Sequence, residues 1–214
     1  MRESVPLQFP RLYPIVDQGV LQLHEVVPGR FAEDLKAAGV ELLQYRDKVG
    51  EPDSVLRRAA VIWEVFEGTG CRLIMNDHAE LVKPAGFDGV HVGHEDLSPE
   101  DARQVVGPDR WVGVSTHNDG QVRIANETSA DYVAVGPVFA TGTKLDSQPV
   151  IGLEGVRRAR QLTRKPIVAI GGITRMNARS VMDAGADSVA VISALFVEGE
   201  AVQKVVGDFL ELLR

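Results

Sequence analysis

The sequence of this chain predicts an α/β fold of the (β/α)8 TIM-barrel type. Eight short apolar runs alternate with segments of helical periodicity, as expected for buried parallel strands that are joined by helices. The seventh run, 166–170, ends in Gly171 and Gly172, which leaves the backbone N–H groups of the turn open to a ligand. In a TIM barrel the ends of strands seven and eight commonly bind a phosphate group. A doubly wound open sheet is the alternative fold.

The predicted strands are short and mostly apolar. They are Leu12–Val16, Leu42–Tyr45, Arg72–Met75, Gly89–Val92, Trp111–Val114, Tyr132–Val135, Ile167–Ile170 and Ser188–Ile192. Amphipathic segments predict helices in most of the gaps: Arg30–Ala38, Val55–Glu67, Glu100–Val106, Gln121–Thr128, Leu153–Leu162 and Ala178–Ala184. Before the third of these, Ser98 as helix cap, Pro99 at the first position and Asp101 three residues after the cap predict where the helix begins.

Composition favours one domain and excludes several classes of partner. A length of 214 residues suits a single TIM barrel over 1–214, with residues 1–10 as a loose N-terminal arm. The net charge of −7 argues against nucleic acid or a membrane surface as partner. The single cysteine, Cys71, excludes an internal disulfide, and with no signal peptide or long apolar span we expect a cytoplasmic enzyme. The sequence leaves open whether it forms a homo-oligomer.

Polar side chains follow almost every predicted strand, at the barrel end where TIM-barrel enzymes carry out catalysis. In chain order they are Gln44, Arg46 and Lys48; Asn76 and Asp77; His94, Glu95 and Asp96; Ser115, Thr116 and His117; Thr141, Thr143 and Lys144; Gly172; and Ile192 and Ser193. The two carboxylates of Asp77 and Asp96, set against the cations, indicate a diphosphate that is bound through a divalent metal. Oxygen ligands favour magnesium.

Each of these residues also has a plain structural explanation. Arg46 and Lys48 could be solvated surface charges, and Asp77 could form an Asx turn or cap a helix. Asp96 could belong to the start of the next helix, and Ser115 could cap the helix after strand five. The convergence of polar groups from six strand ends on one rim favours a functional site over six separate structural roles.

Eight phrases, taken in order, resemble the thiamine phosphate synthase family along nearly the whole chain. They are LYPIVD at 12–17, QYRDK at 44–48, NDHAELV at 76–82, GVHVGHEDL at 89–97, VGVSTH at 112–117, ADYVAVGPVFATGTK at 130–144, PIVAIGGIT at 166–174 and AGADSVAVIS at 184–193. The resemblance implies a TIM barrel that joins hydroxymethylpyrimidine diphosphate to hydroxyethylthiazole phosphate, with Mg²⁺, and releases pyrophosphate. It therefore implies small molecules as the partners.

The resemblance also implies a role for each matching residue. The pyrimidine diphosphate contacts are Gln44, Arg46, Lys48, Asn76, Ser115 and Lys144, of which Arg46, Lys48, Ser115 and Lys144 are the catalytic candidates. The magnesium ligands are Asp77 and Asp96, and the thiazole phosphate contacts are Thr141, Thr143, Gly172, Ile192 and Ser193. His94 stands where the family pattern has Gln, and Tyr45 and Asp47 also depart from it.

Two alternative functions are compatible with the same fold. A thiazole tautomerase would share the fold and the thiazole phosphate pocket, but it should lack the diphosphate and metal residues. A non-catalytic barrel that senses a phosphate ligand would keep Gly172 and Ser193 and lose Asp77 and Asp96. Both carboxylates are present in this chain.

Overall fold

A computed structural model describes residues 9–142 and 148–214. Eight parallel strands, paired in chain order, close into a barrel, so the predicted (β/α)8 TIM-barrel fold is confirmed. The strands are β1 (Leu12–Asp17), β2 (Leu42–Arg46), β3 (Arg72–Asn76), β4 (Gly89–Val92), β5 (Trp111–Thr116), β6 (Tyr132–Val135), β7 (Ile167–Ile170) and β8 (Ser188–Val191). Each begins at or next to its predicted start.

The helices surround the barrel. They are α1 (Gln18–Leu23), α2 (Pro28–Ala37), α3 (Pro52–Phe66), α4 (Pro99–Val106), α5 (Asp119–Asn126), α6 (Gly152–Leu162), α7 (Ala178–Asp183) and α8 (Val202–Leu212). Between β3 and β4 the described chain forms only a short 3₁₀ turn, Ala79–Leu81, and a second such turn, Ser193–Leu195, follows β8. None of the helices in the described ranges combines the length and apolar character that crossing a bilayer requires.

Alternation along each strand divides the buried side chains between two cores. On β1, Leu12 and Val16 point outward and pack against the helices, whereas Tyr13 and Ile15 point into the barrel. Helix α3 buries Val55, which begins a stripe continued by Ala59, Ile62 and Phe66 at the spacing of one helical face. The predicted start of α4 is also confirmed, because the Ser98 hydroxyl accepts a hydrogen bond from the Asp101 amide at 3.1 Å.

Phe9 fills the N-terminal mouth of the barrel. Its ring is 7% exposed and lies 5.3 Å from the Trp111 ring and 5.1 Å from the Tyr132 ring, measured between centroids. The packed chain therefore begins before the end of the arm predicted for residues 1–10, of which residues 1–8 lie outside the described ranges. Aromatic packing of this kind closes the barrel at the end opposite the strand termini that carry the polar residues.

Gly113 leaves the space in which the side chains of two neighbouring strands meet. It pairs with His91 of β4 on one side and with Tyr132 of β6 on the other. A Cβ atom at this position would lie 2.1 Å from Cζ of Tyr132 and 2.5 Å from Nδ1 of His91. Any side chain at residue 113 would therefore push these two buried rings apart.

We expect Gly113→Ala to lower the free energy of unfolding by about 1–3 kcal/mol, the usual cost of overpacking a core. Gly207→Ala in α8 is the matched control, because a Cβ there meets no other atom within 4 Å. It should raise the free energy of unfolding by about 0.5–1 kcal/mol, since alanine is the better helix former. Urea denaturation measures both, and an equal effect of the two substitutions would contradict the packing described for Gly113.

Candidate active site

Two adjoining cavities open at the C-terminal ends of the strands. The first, of about 210 Å³, is lined mostly by apolar groups and by the turn after β7, and we call it the apolar chamber. The second, of about 70 Å³, contains the ionisable side chains, and we call it the charged chamber. Ile170, Ala190 and Ile192 line both cavities, so the two chambers share a wall.

The charged chamber brings together most of the residues predicted from the sequence. It is lined by Gln44, Arg46, Lys48, Asn76, Asp77, Asp96 and Ser115, with Ile192 on the shared wall. The apolar chamber is lined by Thr141, Gly172, Ile192 and Ser193. The remaining two predicted residues, Thr143 and Lys144, lie outside the described residues.

Arg46 is held by an aspartate that sequence reasoning missed. Asp17, the last residue of β1, is directly opposite Arg46 in the parallel register, and its Oδ2 pairs with Nη1 of Arg46. The Asp17 side chain is 7% exposed, and its Oδ1 accepts the Val20 amide at 3.0 Å to cap α1. Arg46 is therefore not a freely solvated charge. Only the strand register, which the sequence does not give, could have identified this pair.

Lys48 lies on a loop that Asp47 anchors. The buried Asp47 accepts hydrogen bonds from the Gly50 amide at 2.9 Å, from the Tyr45 hydroxyl at 3.1 Å and from Nη1 of Arg58 at 2.7 Å. The two departures from the family pattern, Tyr45 and Asp47, thus bond to each other and tie the loop to α3. The anchored loop places Nζ of Lys48 against Oδ2 of Asp77.

Asp77 and Asp96 face each other at the ends of β3 and β4. Asp77 adopts a left-handed backbone conformation, with φ of 64°, and its amide donates to the His91 carbonyl at 2.8 Å. The Asp96 carboxylate accepts the Gly93 amide at 2.8 Å, so it closes a turn and does not cap the following helix. His94 is exposed and makes no hydrogen bond to Asp96 among the described contacts.

The pKa values of Asp77 and Asp96 shift in opposite directions because the two carboxyl groups lie close together. Burial raises the pKa of Asp77, and the neighbouring Asp96 raises it further against the opposing effect of Lys48. Partial burial acts in the same direction on Asp96, but hydrogen bonds from Asp77 and the Gly93 amide, together with Lys48, bring the pKa of Asp96 below its ordinary value. Like charges this close disfavour ionisation of both groups at once. The pair therefore suits a bound cation.

The chemistry of the donors fits magnesium. Asp77 and Asp96 offer only oxygen atoms, and no group of three or more His, Cys, Asp or Glu side chains within residues 9–142 and 148–214 could form a complete protein cage for a metal. Magnesium usually binds through one or two carboxylates, with water and substrate phosphates completing its shell. An open pair of carboxylates beside a cationic cluster is consistent with that mode.

Ser115 and Gln44 are both bonded to buried residues inside the barrel. The hydroxyl of Ser115 is 2.9 Å from Nε2 of His91, and Nε2 of Gln44 donates to the Tyr13 hydroxyl at 3.2 Å. Ser115 does not cap α5, because the Asn118 side chain accepts the Gln121 amide and fills that role. Sequence reasoning missed Tyr13 and His91. The available signal was the alternation of side-chain direction along a strand, which places both residues on the face that points into the barrel.

The apolar chamber is bounded by a turn that uses two glycines in left-handed conformations. Gly171 and Gly172 have φ of 103° and 62°, which only glycine adopts readily. Asn177 holds the turn, because its Oδ1 accepts the Thr174 amide at 2.8 Å and its Nδ2 donates to the Gly172 carbonyl at 3.0 Å. Helix α7 begins at Ala178, as predicted, so the turn before it and not the first helical turn borders the chamber.

Comparisons with known proteins point to one family. The family model described as "Thiamine monophosphate synthase" matches residues 12–195. The chain is 49% identical over 209 residues to the thiamine-phosphate synthase of Koribacter versatilis, covering 97% of each chain. It is 40% identical over 187 residues to that of Chloroflexus aurantiacus, covering 86% of this chain and 84% of the relative.

A solved structure is similar over the same span. The thiamine phosphate pyrophosphorylase from Pyrococcus furiosus superposes with a TM-score of 0.85 at 27% sequence identity and covers 95% of both chains. The family match covers well over half of the chain and includes every described residue that lines the two chambers. On this evidence the chain belongs to the thiamine monophosphate synthase family.

Proposed function

We propose that this chain joins hydroxymethylpyrimidine diphosphate, held in the charged chamber, to hydroxyethylthiazole phosphate, held in the apolar chamber. As a thiamine-phosphate synthase it is a transferase that forms thiamine phosphate and releases pyrophosphate. The observation that carries the proposal is the wall that the chambers share at Ile170, Ala190 and Ile192. Because the two cavities share these three residues as a wall, substrates bound in them would lie next to each other. The one-domain organisation and a cytoplasmic location are part of this proposal.

The cations of the charged chamber would bind the diphosphate. Arg46 is fixed by Asp17, and Lys48 sits on the loop that Asp47 anchors, so both charges are held in place before substrate binds. Lys144, which lies outside the described residues, would add a third cation on the grounds of the family pattern. Fixed charges of this kind stabilise a transition state without the cost of reorganisation. Gln44, Asn76 and Ser115 would contact the pyrimidine.

Asp77 and Asp96 would hold Mg²⁺ between them. The bound ion would neutralise charge on the diphosphate oxygens and so favour their departure. Lys48 pairs with Asp77, so its ammonium group would lie next to both the metal-binding carboxylate and the diphosphate.

The reaction needs no base and no covalent nucleophile from the protein. The bond between the pyrimidine methylene carbon and the bridging oxygen breaks, and both electrons leave with the pyrophosphate. The thiazole nitrogen then donates its lone pair to the methylene cation and forms the new carbon–nitrogen bond. The residues of the two chambers contribute by neutralising the leaving group and by holding the thiazole close, so positioning and electrostatics account for the catalysis.

The turn after β7 would hold the thiazole phosphate. Gly172, Ile192 and Ser193 line the apolar chamber, together with Thr141 from the loop after β6. Thr143, which lies outside the described residues, would join them on the grounds of the family pattern. The apolar remainder of the chamber suits a thiazole ring. Turns that expose successive backbone N–H groups bind phosphate in many α/β proteins.

A thiazole tautomerase would not need the residues of the charged chamber. Such an enzyme acts on a single substrate, which the apolar chamber could hold alone. The paired carboxylates Asp77 and Asp96, with Arg46 and Lys48 anchored next to them, fit a diphosphate and a metal. A non-catalytic phosphate sensor would likewise not need them.

We expect the purified protein, given both substrates and Mg²⁺, to form thiamine monophosphate and pyrophosphate in equal amounts, and to stop when EDTA is in excess. Asp77→Asn should lower turnover at least about a hundredfold, or ~3 kcal/mol, because one metal ligand loses its charge. Asparagine tolerates the left-handed backbone of Asp77, so the loss should not come from misfolding. A product assay by mass spectrometry measures each rate.

Asp119→Asn is the control for the loss of one carboxylate, because the Asp119 side chain is 44% exposed, lines neither chamber and, among the described residues, forms its ion pair with Arg158. Its turnover should equal that of the unmodified chain. Full turnover in EDTA would rule out the metal, and an absence of pyrophosphate under all conditions would rule out the proposed reaction.

Gly172→Ala should weaken binding of the thiazole phosphate at least about tenfold, or ~1.4 kcal/mol. The added Cβ would lie 2.5 Å from the Ala140 carbonyl oxygen and 2.8 Å from Cβ of Phe139, so the turn must move. Titration calorimetry measures the dissociation constant. Gly70→Ala, where a Cβ meets nothing within 4 Å, should leave it unchanged. An unchanged constant for Gly172→Ala would place the phosphate elsewhere.

Arg46→Ala should lower turnover by about a hundredfold or more, the scale for loss of one preorganised charge contact. It should also destabilise the protein, because Asp17 would remain buried without its partner. The double variant Asp17→Asn with Arg46→Gln removes both charges and can keep a neutral hydrogen bond. We expect it to recover most of the stability, measured by urea denaturation, and none of the turnover. Recovery of turnover with stability would show that Arg46 is only structural.

A further inference from the structure

A continuous chain of hydrogen bonds runs inside the barrel from Gln44 to Ser115. Nε2 of Gln44 lies 3.2 Å from the Tyr13 hydroxyl, which lies 2.9 Å from the Tyr132 hydroxyl. The Tyr132 hydroxyl is 3.1 Å from Nδ1 of His91, and Nε2 of His91 is 2.9 Å from the Ser115 hydroxyl. Of the five linked residues, Gln44, Tyr13, His91 and Ser115 line the charged chamber, and Tyr132 does not.

The residues in the middle of this hydrogen-bond series are buried. Tyr132 is 0% exposed, Tyr13 is 1% exposed and His91 is 6% exposed. A buried hydroxyl without a partner costs about 1–3 kcal/mol, so each of these groups must use the partners that the barrel provides. Burial raises the pKa of both tyrosines well above the ordinary value, which keeps a proton on each hydroxyl.

The Gln44 end of the series determines which group donates in each hydrogen bond. The amide nitrogen of Gln44 can only donate, so the Tyr13 hydroxyl accepts from it and gives its own hydrogen to Tyr132. Tyr132 then gives its hydrogen to Nδ1 of His91, which must accept. The opposite direction would leave the hydrogen of the Tyr13 hydroxyl without an acceptor in the chain.

The same direction determines what Ser115 presents. With Nδ1 as acceptor, the ring hydrogen of His91 is on Nε2 and points to the Ser115 hydroxyl oxygen. The hydrogen of the Ser115 hydroxyl is then directed away from His91, toward the chamber that Ser115 lines. Ser115 is thereby prepared to donate to a ring nitrogen or a phosphate oxygen.

Backbone geometry provides the room for this chain. Gly113 lies between His91 and Tyr132, and a Cβ there would come within 2.5 Å of Nδ1 of His91 and 2.4 Å of the Tyr132 hydroxyl. The hydrogen bond between the two rings passes through the space that glycine leaves. The sheet therefore accommodates the contact that links β4 to β6 across β5.

We propose that Tyr13, Tyr132 and His91 are positioning residues, which hold Gln44 and Ser115 in one hydrogen-bonding state for the pyrimidine diphosphate and present Ser115 as a donor. The inference rests on the proposed function, because it takes the charged chamber as the site of that substrate. Tyr132 is not among the residues that line either chamber, so it acts through His91 and not by contact with the substrate.

The first test observes the chain without any substrate. Nitrogen-15 NMR of histidine-labelled protein should show His91 with its hydrogen on Nε2, and His91→Asn identifies the signal among the five histidines. In Tyr132→Phe the bond to Nδ1 is lost, and the signal should shift toward a mixture of the two tautomers. A hydrogen on Nδ1 of His91 in the unmodified protein would overturn the proposal.

The second test measures catalysis. Tyr132→Phe should lower kcat/KM for the pyrimidine diphosphate about tenfold or more and leave the dissociation constant of the thiazole phosphate unchanged. Tyr13→Phe should lower the same kcat/KM through Gln44 while His91 keeps its tautomer, so it tests the chain independently if Tyr132→Phe folds poorly. Ser188→Ala is the matched control, because Ser188 is a fully buried barrel hydroxyl that has no hydrogen-bond partner among the residues that the structure describes.

The outcomes separate this inference from the proposed function. If the unmodified protein makes thiamine monophosphate and both folded tyrosine variants keep its kcat/KM, the positioning role is wrong and the function stands. If the unmodified protein makes no product, the function fails and the inference fails with it. If Ser188→Ala lowers kcat/KM as much as Tyr132→Phe, the loss reflects removal of any buried hydroxyl, and the inference is also wrong.

Discussion

Closure of the parallel barrel forces every second strand residue into a narrow interior, and most other features of the structure depend on that constraint. Residues that point outward can be uniformly apolar, because helices cover them. Residues that point inward meet side chains from other strands, and any polar atom among them must find a partner without water. The interior therefore grades from aromatic packing around Phe9 to linked hydroxyl, amide and imidazole groups beneath the chambers.

At the rim the same alternation brings charges together. Asp17 and Arg46 point inward from neighbouring strands at matched positions, so their pairing follows from the register itself. Asp77 and Asp96 follow β3 and β4, and their like charges oppose ionisation of both groups even with Lys48 beside Asp77. The first pair satisfies its own charge, whereas the second retains charge that a ligand can use. This difference distinguishes a supporting contact from a binding site.

The sequence predicted the fold well because the strands are short and mostly apolar, and runs of this kind are typical of parallel strands buried on both faces. It was less informative where a strand continues into polar residues, as β1 does to Asp17 and β5 to Thr116. Helices α1 and α8 were not predicted. Phe9 was assigned to a loose arm, because one aromatic residue gives no periodic signal, although its ring packs inside the barrel.

The sequence predicted which single residues belong to the site, but it did not predict the contacts that hold them. The position of Arg46 after β2 indicated a functional cation, but its partner Asp17 depends on strand register, and the link of Asp47 to Arg58 depends on how α3 packs. Tyr132 is the residue whose role is hardest to predict, because a tyrosine within an apolar strand is usually a core residue. Its importance lies in contacts with two residues far along the chain, Tyr13 and His91.

The anchoring of Lys48 shows how a departure from the family pattern can preserve a site. The Asp47 carboxylate is buried, and its charge is already engaged by Arg58, the Tyr45 hydroxyl and the Gly50 amide, so it need not repel a diphosphate that Lys48 binds. Tyr45 and Asp47, the two residues that depart from the pattern, therefore bond to each other in this structure. The loop then gains a fixed shape, and Lys48 keeps its position opposite Asp77.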